Sequence, residues 1–475
     1  MNTFQPRNGP RFVSESESTG SARPLYYYLY LVAITLTVAA HLGWKAYIES
    51  FWHDEAWVAE SILLPDVSGM LGFTDPTQIT PPLYLFAVRG LVALFGDSEF
   101  VFRLVSLFCV IFAFPLCYRF LLPAFQDHRI ALAGVACLAL SHFATRYGAE
   151  LKPYSAELLS AFLTLNAFFA GGPWSRDTKS QYHWWIPIAI AAFSLLVMSG
   201  AYTSALLFFP ALGLRTLEEL SGRRWRRGLL LGIGLLLALV VSALFFVFYL
   251  QPRTGGAMMQ NYWNHAFPSL SRPRELGLSV SLNLFGLFQY YFFQVKALAA
   301  LLLLVGLVYL WRRNILLALL VVVIPLEIFI LSLFRLFPAD LGSRLTIFYY
   351  PLLLLCLVAS IPALIALLNR LRKQDSPSKI RHFLLPWTLI AMAVLTMAYS
   401  RVKVAPFGYD YEPIKQYYAY LVSHYDPASD EILVYHNSRI PGDTTIVKET
   451  FPFAFSTRWR IKHCFAMRTR RKGIG

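Results

Sequence analysis

Charged residues are scarce in this chain of 475 residues. They make up 15% of it, whereas a soluble globular domain carries about 25%. Hydrophobic residues make up 57%, and long apolar runs recur, for example at 229–250, 315–333 and 346–368. These runs approach or reach the roughly 20 residues that a helix needs to cross the hydrocarbon core. They lack the alternating pattern of barrel strands, so the sequence predicts membrane-spanning helices.

Cysteine motifs and glycine-rich loops are also missing. Four of the five cysteines lie in or beside apolar runs, and no CxxC or Cys/His spacing occurs. This pattern indicates neither a disulfide framework nor a zinc site. No Gly-rich phosphate loop is present either, which argues against a soluble enzyme that binds a nucleotide sugar.

Positive charge exceeds negative charge, and the formal net charge is +15. On a soluble protein this would suggest nucleic-acid binding, but here the basic residues cluster in short segments between apolar runs, as they do on cytoplasmic loops. Nucleic acid is therefore not expected as a partner. The basic connections are the N-terminal tail, 123–129, 171–183, 215–227, 312–313 and 370–381. The connections that alternate with them are 43–100, 146–152, 199–201, 251–279 and 335–344.

This alternation predicts about eleven helices in the inner (plasma) membrane, with a cytoplasmic N-terminus and an external C-terminus. The predicted helices are 25–42, 100–122, 130–145, 153–170, 184–198, 202–214, 228–250, the second half of 276–310, 315–333, 346–368 and 383–397. The long first outer loop, 43–100, is predicted to contain one or two interfacial helices, including 83–95.

The sequence divides into three parts. Residues 1–24 form a polar tail that is predicted to be disordered and cytoplasmic. Residues 25–399 form an all-α, polytopic transmembrane domain. Residues 400–475 form an external segment with its own pattern, in which 412–424 is predicted to be a helix and 431–435 a strand. This last segment is predicted to be a small α/β appendage.

Adjacent carboxylates, Asp54 and Glu55, begin the first outer loop beside His53 and between two tryptophans. One interpretation is structural, in which Asp54 caps an interfacial helix and Glu55 favours its dipole. The functional interpretation is a general base or a metal ligand at the membrane surface. The sequence alone leaves both open.

Further charged candidates lie on later outer connections. Glu150 and Lys152 precede Pro153, which suits the first position of a helix, so they are expected at the outer rim of the bundle. The alternative for Lys152 is a snorkelling side chain with a partner carboxylate. Arg344 precedes an aromatic-rich helix, where it could bind a lipid phosphate or simply lie at the interface. Glu157 and Glu327 lie within predicted helices, where an ionisable group usually faces a cavity or an ion-pair partner.

Together these pieces, in this order, resemble the GT-C membrane glycosyltransferases, in particular bacterial protein-mannosyltransferases and lipid A aminoarabinose transferases. The resemblance covers the layout of residues 25–365. The motifs that carry it are Asp54-Glu55; Pro81-Pro82-Leu83-Tyr84 followed by Phe95-Gly96-Asp97-Ser98-Glu99 and Arg103; Glu150-x-Lys152-Pro153-Tyr154; and Arg344 before its aromatic helix.

The resemblance implies a GT-C-like bundle that transfers a sugar from a polyprenyl-phosphate donor on the outer face, with inversion. It implies that Asp54 deprotonates or positions the acceptor hydroxyl. Lys152 and Arg344 would hold the phosphate leaving group. Glu55 and Glu150 would orient sugar hydroxyls or a metal.

Tyr154 belongs to the same substrate-binding motif. Many relatives carry Lys or His immediately before the proline pair, where this chain has Thr80, and His53 is the local substitute that the sequence offers. The resemblance leaves the need for a divalent metal open, and it leaves the acceptor as a lipid, a glycan or a protein.

Three other functions compete with this interpretation. A lipid-linked sugar flippase or transporter often shows internal repeats, and none is evident here. A polysaccharide polymerase or ligase would share the donor class and differ in its acceptor. A non-catalytic membrane scaffold would not require the carboxylates of the first loop.

Overall fold

The computed structural model describes residues 24–49, 51, 53–72, 79–141, 146–170, 184–254, 263–268, 273–292, 296–371, 430–434 and 467–471. Helices dominate these residues. The α-helices are α1 (Pro24–Ile48), α2 (His53–Leu63), α3 (Val67–Gly72), α4 (Pro82–Phe95), α5 (Glu99–Phe125), α6 (His128–Leu140), α7 (Tyr154–Phe169), α8 (Ile186–Ala201), α9 (Ala205–Ser221), α10 (Trp225–Phe245), α11 (Gln251–Thr254), α12 (Pro273–Phe292), α13 (Lys296–Arg313), α14 (Ile315–Leu333) and α15 (Tyr350–Leu371). Short 3₁₀ turns occur at Tyr202–Ser204, Asn264–Ala266 and Arg344–Tyr349, and a π-helical turn occurs at Phe246–Leu250.

Among the described residues, six helical stretches are long and apolar enough to cross a membrane. They are Leu25–Ile48, Glu99–Phe125, Ile186–Ser221, Trp225–Arg253, Ile315–Leu333 and Arg344–Leu367. The bent pair Ser279–Phe292 and Lys296–Arg313, whose axes differ by 102°, adds a seventh if it counts as one span. The prediction of a helical, multi-pass membrane protein is therefore confirmed.

Each of the first ten predicted helices has a counterpart among the described residues, and the first outer loop contains α2, α3 and α4. Helix α6 is short. Its 13 residues extend about 20 Å at about 1.5 Å per residue, against about 30 Å for the hydrocarbon core. The eleventh predicted helix, 383–397, lies outside the described residues, so the count of eleven stays a prediction.

Helices α8 and α9 run antiparallel, although they follow one another within the single helical stretch Ile186–Ser221 of 36 residues. On α10, a Cβ at Gly234 would lie 2.7 Å from Ile190, and one at Gly232 would lie 3.7 Å from Thr216. A straight helix would place Ile190 and Thr216 about 39 Å apart. The chain must therefore reverse between them, and it does so at Ala201, whose φ of −164° and ψ of 62° are not helical. This agrees with the turn predicted at 199–201.

The connections fall at two ends of the bundle. We call one the loop end; it contains the connections 49–53, 96–98, 146–153, 202–204 and 334–344. The other is the basic end, with the connections 126–128, 222–224 and 313–315. The basic clusters 123–129, 215–227 and 312–313 all lie at the basic end. Which end faces the cytoplasm stays a prediction from the Lys and Arg distribution.

Close helix packing stabilises the half of the bundle that carries Arg344. A Cβ built on Gly306 of α13 would lie 1.8 Å from the carbonyl oxygen of Cys356 in α15. The two helix backbones are thus in direct contact, as small residues allow in membrane helices. Glycine is required at 306 because the neighbouring atom belongs to the backbone and cannot rotate away.

A tyrosine compensates for the proline inside α14. Pro325 has no N–H, so the carbonyl of Val321 loses its helical partner. The hydroxyl of Tyr349 donates to that carbonyl at 2.7 Å. Because water is excluded from a membrane interior, such a carbonyl needs a partner within the protein.

Near the C-terminus, β1 (Asp430–Val434) pairs antiparallel with β2 (Met467–Arg471). Strand β1 overlaps the predicted strand at 431–435 and begins one residue earlier. The predicted helix at 412–424 and the tail before Pro24 lie outside the described residues.

Candidate functional site

The candidate site lies at the loop end, where α1 ends and α2 begins. Asp54 and Glu55 are in the first turn of α2, where the free N–H groups and the helix dipole favour negative charge. Both are buried, with 6% and 1% of their surface exposed. Asp54 therefore lies inside α2, which begins at His53, and not at the N-cap that the structural interpretation assigns to it, and the functional interpretation stays a prediction.

Asp54 lies between two cations from distant parts of the chain. Its Oδ2 atom is 3.4 Å from Nζ of Lys152 and 3.4 Å from a guanidinium nitrogen of Arg344. The side chain of Lys152 is only 4% exposed, whereas that of Arg344 is 30% exposed. The structure thus brings together three residues that the sequence predicted to belong to one site, and the cluster carries one excess positive charge.

Lys152 is held in a tight connection just before α7. Its backbone carbonyl accepts a hydrogen bond of 3.0 Å from Ser106 of α5, and Ser106 in turn contacts the hydroxyl of Tyr84 at 2.7 Å. Burial lowers the pKa of Lys152 to about 8, although Asp54 acts in the opposite direction. Its charge is therefore sensitive to pH near neutrality.

Arg344 begins the 3₁₀ turn Arg344–Tyr349, which Ser343 caps through a hydrogen bond from the N–H of Leu345. The hydroxyl of Thr346 fixes the same turn by donating to the carbonyls of Leu341 and Ser343. The Arg344 guanidinium lies 5.7 Å from the ring centroid of Tyr154, a cation–π distance. Tyr154 thus forms one wall of the cluster, in agreement with its place in the predicted motif.

The carboxylate of Glu55 forms an ion pair with a second arginine, Arg103. Arg103 of α5, 1% exposed, donates to both carboxylate oxygens at 2.9 and 2.8 Å. The N–H of Leu151 donates to Oε1 at 2.6 Å. The other end of the guanidinium donates to the carbonyls of Ala46 and Glu49 at the end of α1, at 3.0 and 2.6 Å.

We call Glu55 and Arg103 the clamp. It joins the end of α1, the start of α2, the start of α5 and the connection before α7. Asp54 directly precedes Glu55 in the chain, and Lys152 directly follows Leu151, whose N–H donates to Glu55. The clamp therefore fixes the distance between Asp54 and Lys152. The sequence pointed to Arg103 only as part of a motif; nothing in the spacing of 48 residues between the partners could reveal the pair.

Glu150 forms the outer rim of the site. Its Oε1 accepts a 2.7 Å bond from Arg146, while Oε2 is buried with no hydrogen-bond partner among the described residues. Burial raises the pKa of Glu150, and the neighbouring Arg146 opposes that shift. Beside this pair, the hydroxyls of Tyr147 and Tyr290 lie 2.9 Å apart.

Tyrosines also hold the segment that precedes α4. Tyr202, in the turn between α8 and α9, donates to the carbonyl of Ile79 at 3.2 Å. Tyr249, in the π-helical turn, donates to the carbonyl of Thr80 at 2.9 Å. Thr80 itself is 2% exposed. No sequence pattern indicates these two tyrosines, because each contacts a backbone atom more than a hundred residues away.

His53 is the first residue of α2, and its side chain lies outside the described part of the structure. Among the described residues, no group of three or more His, Cys, Asp or Glu side chains is placed to hold a metal ion. The metal that the resemblance left open therefore has no assigned ligands here.

The fold and the site define a multi-pass membrane protein with a buried, cation-rich cluster at one end of its helical bundle. Residues 80–248 match the family model described as dolichyl-phosphate-mannose-protein mannosyltransferase. This match confirms the predicted resemblance to membrane glycosyltransferases over that segment. The segment contains the clamp arginine, Glu150, Lys152 and Tyr154, whereas Asp54 and Arg344 lie outside it.

The chain is also similar to a solved structure, ArnT from Cupriavidus metallidurans bound to undecaprenyl phosphate. The identity is 14%, the match covers 80% of this chain and 76% of that chain, and the TM-score is 0.45. These values are too low to transfer function. No curated protein sequence matches the chain.

Proposed function

We propose that this protein is a membrane glycosyltransferase that takes a sugar from a polyprenyl-phosphate donor. The observation that carries the proposal is Asp54, held 3.4 Å from both Lys152 and Arg344 at the loop end. In this buried cluster, the carboxylate of Asp54 can accept a proton, and the two neighbouring cations can bind an anion.

The two cations suit the leaving group. When a sugar leaves a polyprenyl phosphate, the bond between the anomeric carbon and the phosphate oxygen breaks, and the phosphate keeps the electron pair. Lys152 and Arg344 would stabilise the negative charge that develops on that oxygen. Such stabilisation is strongest in a buried site, where water screens it least.

Asp54 suits the other half of the reaction. The acceptor hydroxyl would give its proton to the Asp54 carboxylate while its oxygen bonds to the anomeric carbon. Attack opposite the leaving phosphate inverts the configuration at that carbon. Glu55, whose oxygens are engaged by Arg103 and Leu151, would act as a positioning residue that aims Asp54, and Glu150 with its unpartnered oxygen would face the sugar.

The donor class is supported from two directions. The match of residues 80–248 is to a family whose name specifies a polyprenyl-phosphate sugar. The position of the cluster also suits an amphiphile, because apolar helices surround a charged site at one end of the bundle. By the distribution of Lys and Arg, this end faces the outside of the cytoplasmic membrane, and the acceptor would be a lipid, a glycan or a protein on that face.

The test is sugar transfer by the purified, detergent-solubilised protein from a panel of polyprenyl-phosphate sugars. Asp54→Asn should lower kcat about 100- to 10,000-fold, the contribution of a general base. Glu60→Gln, a neutralised carboxylate on the same helix α2, should leave kcat unchanged and serves as the matched control.

Several results would contradict the proposal. Equal turnover by Asp54→Asn and wild type would remove Asp54 from the chemistry. Movement of the donor across a vesicle membrane, without sugar transfer in any assay, would favour the flippase instead. Transfer only onto a growing glycan would leave the proposal standing and would identify the acceptor as that of a polymerase or ligase.

A further inference from the structure

Glu157 is a buried carboxylate that the proposed mechanism does not use. It lies in the first turn of α7, is 1% exposed, and its Oε2 has no hydrogen-bond partner among the described residues. Within those residues it forms no ion pair with a Lys or Arg. Buried polar atoms are nearly always hydrogen-bonded, so this oxygen calls for a ligand.

Glu157 lies on the side of α7 that faces the cluster. It is three residues after Tyr154, which places the two side chains on one face of the helix, and Tyr154 contacts Arg344. Tyr202 and Tyr291 also lie close enough to Glu157 to interact with it electrostatically. The carboxylate is therefore about one helical turn further along α7 than Tyr154.

The surroundings of Glu157 are polar and incompletely satisfied. The hydroxyl of Thr203, from the turn between α8 and α9, lies close enough to interact with the Glu157 carboxyl group, yet the Thr203 oxygen is buried without a hydrogen-bond partner of good geometry among the described residues. Ser204 donates to the backbone carbonyl of Glu157 at 3.3 Å. Along the same face of α7, the hydroxyl of Ser160 is likewise unpartnered among the described residues.

We propose that Glu157 is a specificity-determining residue that accepts hydrogen bonds from hydroxyl groups of the donor sugar. This inference rests on the proposed function and deepens it. The cations Lys152 and Arg344 take the phosphate, so the sugar attached to it must occupy the space next to them. Glu157 and Thr203 supply the oxygen atoms that a polyhydroxylated ring needs on the membrane side of that space.

The chemistry distinguishes this role from a structural one. A carboxylate that merely stabilises α7 would affect every ligand alike. A carboxylate that binds sugar hydroxyls affects only ligands that carry a sugar. The size of the effect follows from the strength of hydrogen bonds to charged groups, which corresponds to about a 10- to 100-fold change in affinity.

The experiment measures the Kd of two ligands for the full-length protein in detergent: a polyprenyl phosphate without a sugar, and the same lipid phosphate bearing a hexose. Glu157→Gln should weaken binding of the sugar-bearing lipid about 10-fold or more and leave binding of the sugarless lipid unchanged. Arg344→Gln should weaken both. Glu327→Gln is the matched control, because Glu327 is also a largely buried glutamate with an unpartnered oxygen, in a groove between α9 and α14, and it should weaken neither.

An unchanged Kd for the sugarless lipid shows that the phosphate site is intact. It therefore distinguishes loss of the sugar contact from misfolding of the variant. Glu157→Asp, which keeps the charge and withdraws it by one methylene, should weaken only the sugar-bearing lipid and by a smaller factor. Lipid phosphates that bear glucose, mannose or a deoxy sugar should be ranked by affinity in the wild type, and this ranking should disappear in Glu157→Gln.

An equal Kd for the sugar-bearing lipid in Glu157→Gln and wild type would overturn the inference, while the Asp54-dependent transfer would still support the proposed function. Parallel weakening of both lipids by Glu157→Gln and Glu157→Asp would also overturn it, in favour of a structural role. If wild type bound neither lipid and transferred no sugar, the proposed function and this inference would fail together.

Discussion

At the scale of single residues, burial decides what the cluster can do. Lys152 is almost fully enclosed, and the loss of hydration lowers its pKa to about 8. Arg344 is partly exposed, and a guanidinium stays charged at any pH at which proteins fold. The two cations of the site therefore differ in one respect, which is that only Lys152 can lose its proton near neutral pH.

This difference predicts a pH dependence of donor binding. In the proposed function, Lys152 is an ammonium ion below pH 8 and would then bind the donor phosphate, whereas above pH 8 it is neutral. The KM for the donor should rise about tenfold between pH 7 and pH 9, the loss expected for a group titrating near 8. Lys152→Arg should abolish that rise while remaining active, because arginine keeps its charge. A KM that is flat in the wild type over this range would rule out Lys152 as a phosphate ligand.

The residues of the cluster could be predicted from the sequence, but their contacts could not. Asp54, Lys152 and Arg344 stand out because a charge beside an apolar run is costly and therefore noticeable. The bond from Arg103 to Glu55 is invisible in the sequence, since the helix dipole accounts locally for Glu55 and a motif accounts for Arg103. Glu157 stands out in the sequence as a charge within an apolar helix, whereas its neighbours Thr203 and Ser204 do not, because hydroxyl groups are common in membrane helices.

At the scale of elements, the clamp is the feature that ties the first outer loop to the bundle. Glu55→Gln would leave the guanidinium of Arg103 buried without its counter-charge. Removing one partner of a buried pair costs about 3–5 kcal/mol, so the midpoint of thermal unfolding should fall markedly. The kcat of sugar transfer should fall as well, since Asp54 and Leu151 lose their common anchor.

The comparison that isolates the clamp is a double variant. Glu55→Gln with Arg103→Met removes both charges and should unfold at a higher temperature than Glu55→Gln alone, because no uncompensated charge remains. Glu49→Gln disrupts the partly exposed pair with Lys45 and should cost less than about 1 kcal/mol. Equal stabilities for the single and double variants would show that the pair is not energetically coupled.

The contact between α13 and α15 makes a second prediction at this scale. Gly306→Ala would place a methyl group against the Cys356 carbonyl, 1.8 Å from the oxygen, and the helices would have to separate. We expect a loss of at least about 1–3 kcal/mol, measured by thermal unfolding in detergent. Gly213→Ala on α9, where nothing lies within 4 Å of the added Cβ, should be neutral or slightly stabilising. Similar melting curves for both variants would contradict the close packing.

Helices were more predictable than their ends. Apolar runs located ten helices, because the membrane requires about 20 apolar residues in a row. The break between α8 and α9 is predictable, at 199–201, but the contact of Tyr202 with Ile79 depends on the packing of α8 against the first loop. The bend of 102° between α12 and α13 is not visible in the sequence, where the segment 276–310 is only an apolar run too long for a single crossing.

At the scale of the whole molecule, the two ends of the bundle should face opposite sides of the membrane. In a variant with Cys464 replaced by serine, Asp97→Cys at the loop end should react with a membrane-impermeant maleimide added outside intact cells. Arg223→Cys at the basic end should react only after the membrane is permeabilised. The reverse pattern would place the proposed active site in the cytoplasm and would exclude an external acceptor.

Across the molecule, the alternation of basic and mixed connections is readable from the sequence, and the structure collects the basic connections that it describes, 126–128, 222–224 and 313–315, at a single end. What the sequence could not determine is which of those connections meet in space. Asp54 and Arg344 are 290 residues apart, and only the arrangement of the helices between them brings them together.

The pairing of Asp54 with both cations has a consequence for the resting protein. In the proposed function, the carboxylate of Asp54 would serve as the anion of the phosphate site while no donor is bound. Arrival of a lipid phosphate would displace the carboxylate from Lys152 and Arg344 and free it for the acceptor hydroxyl. The base would thus be released only once a donor is in place.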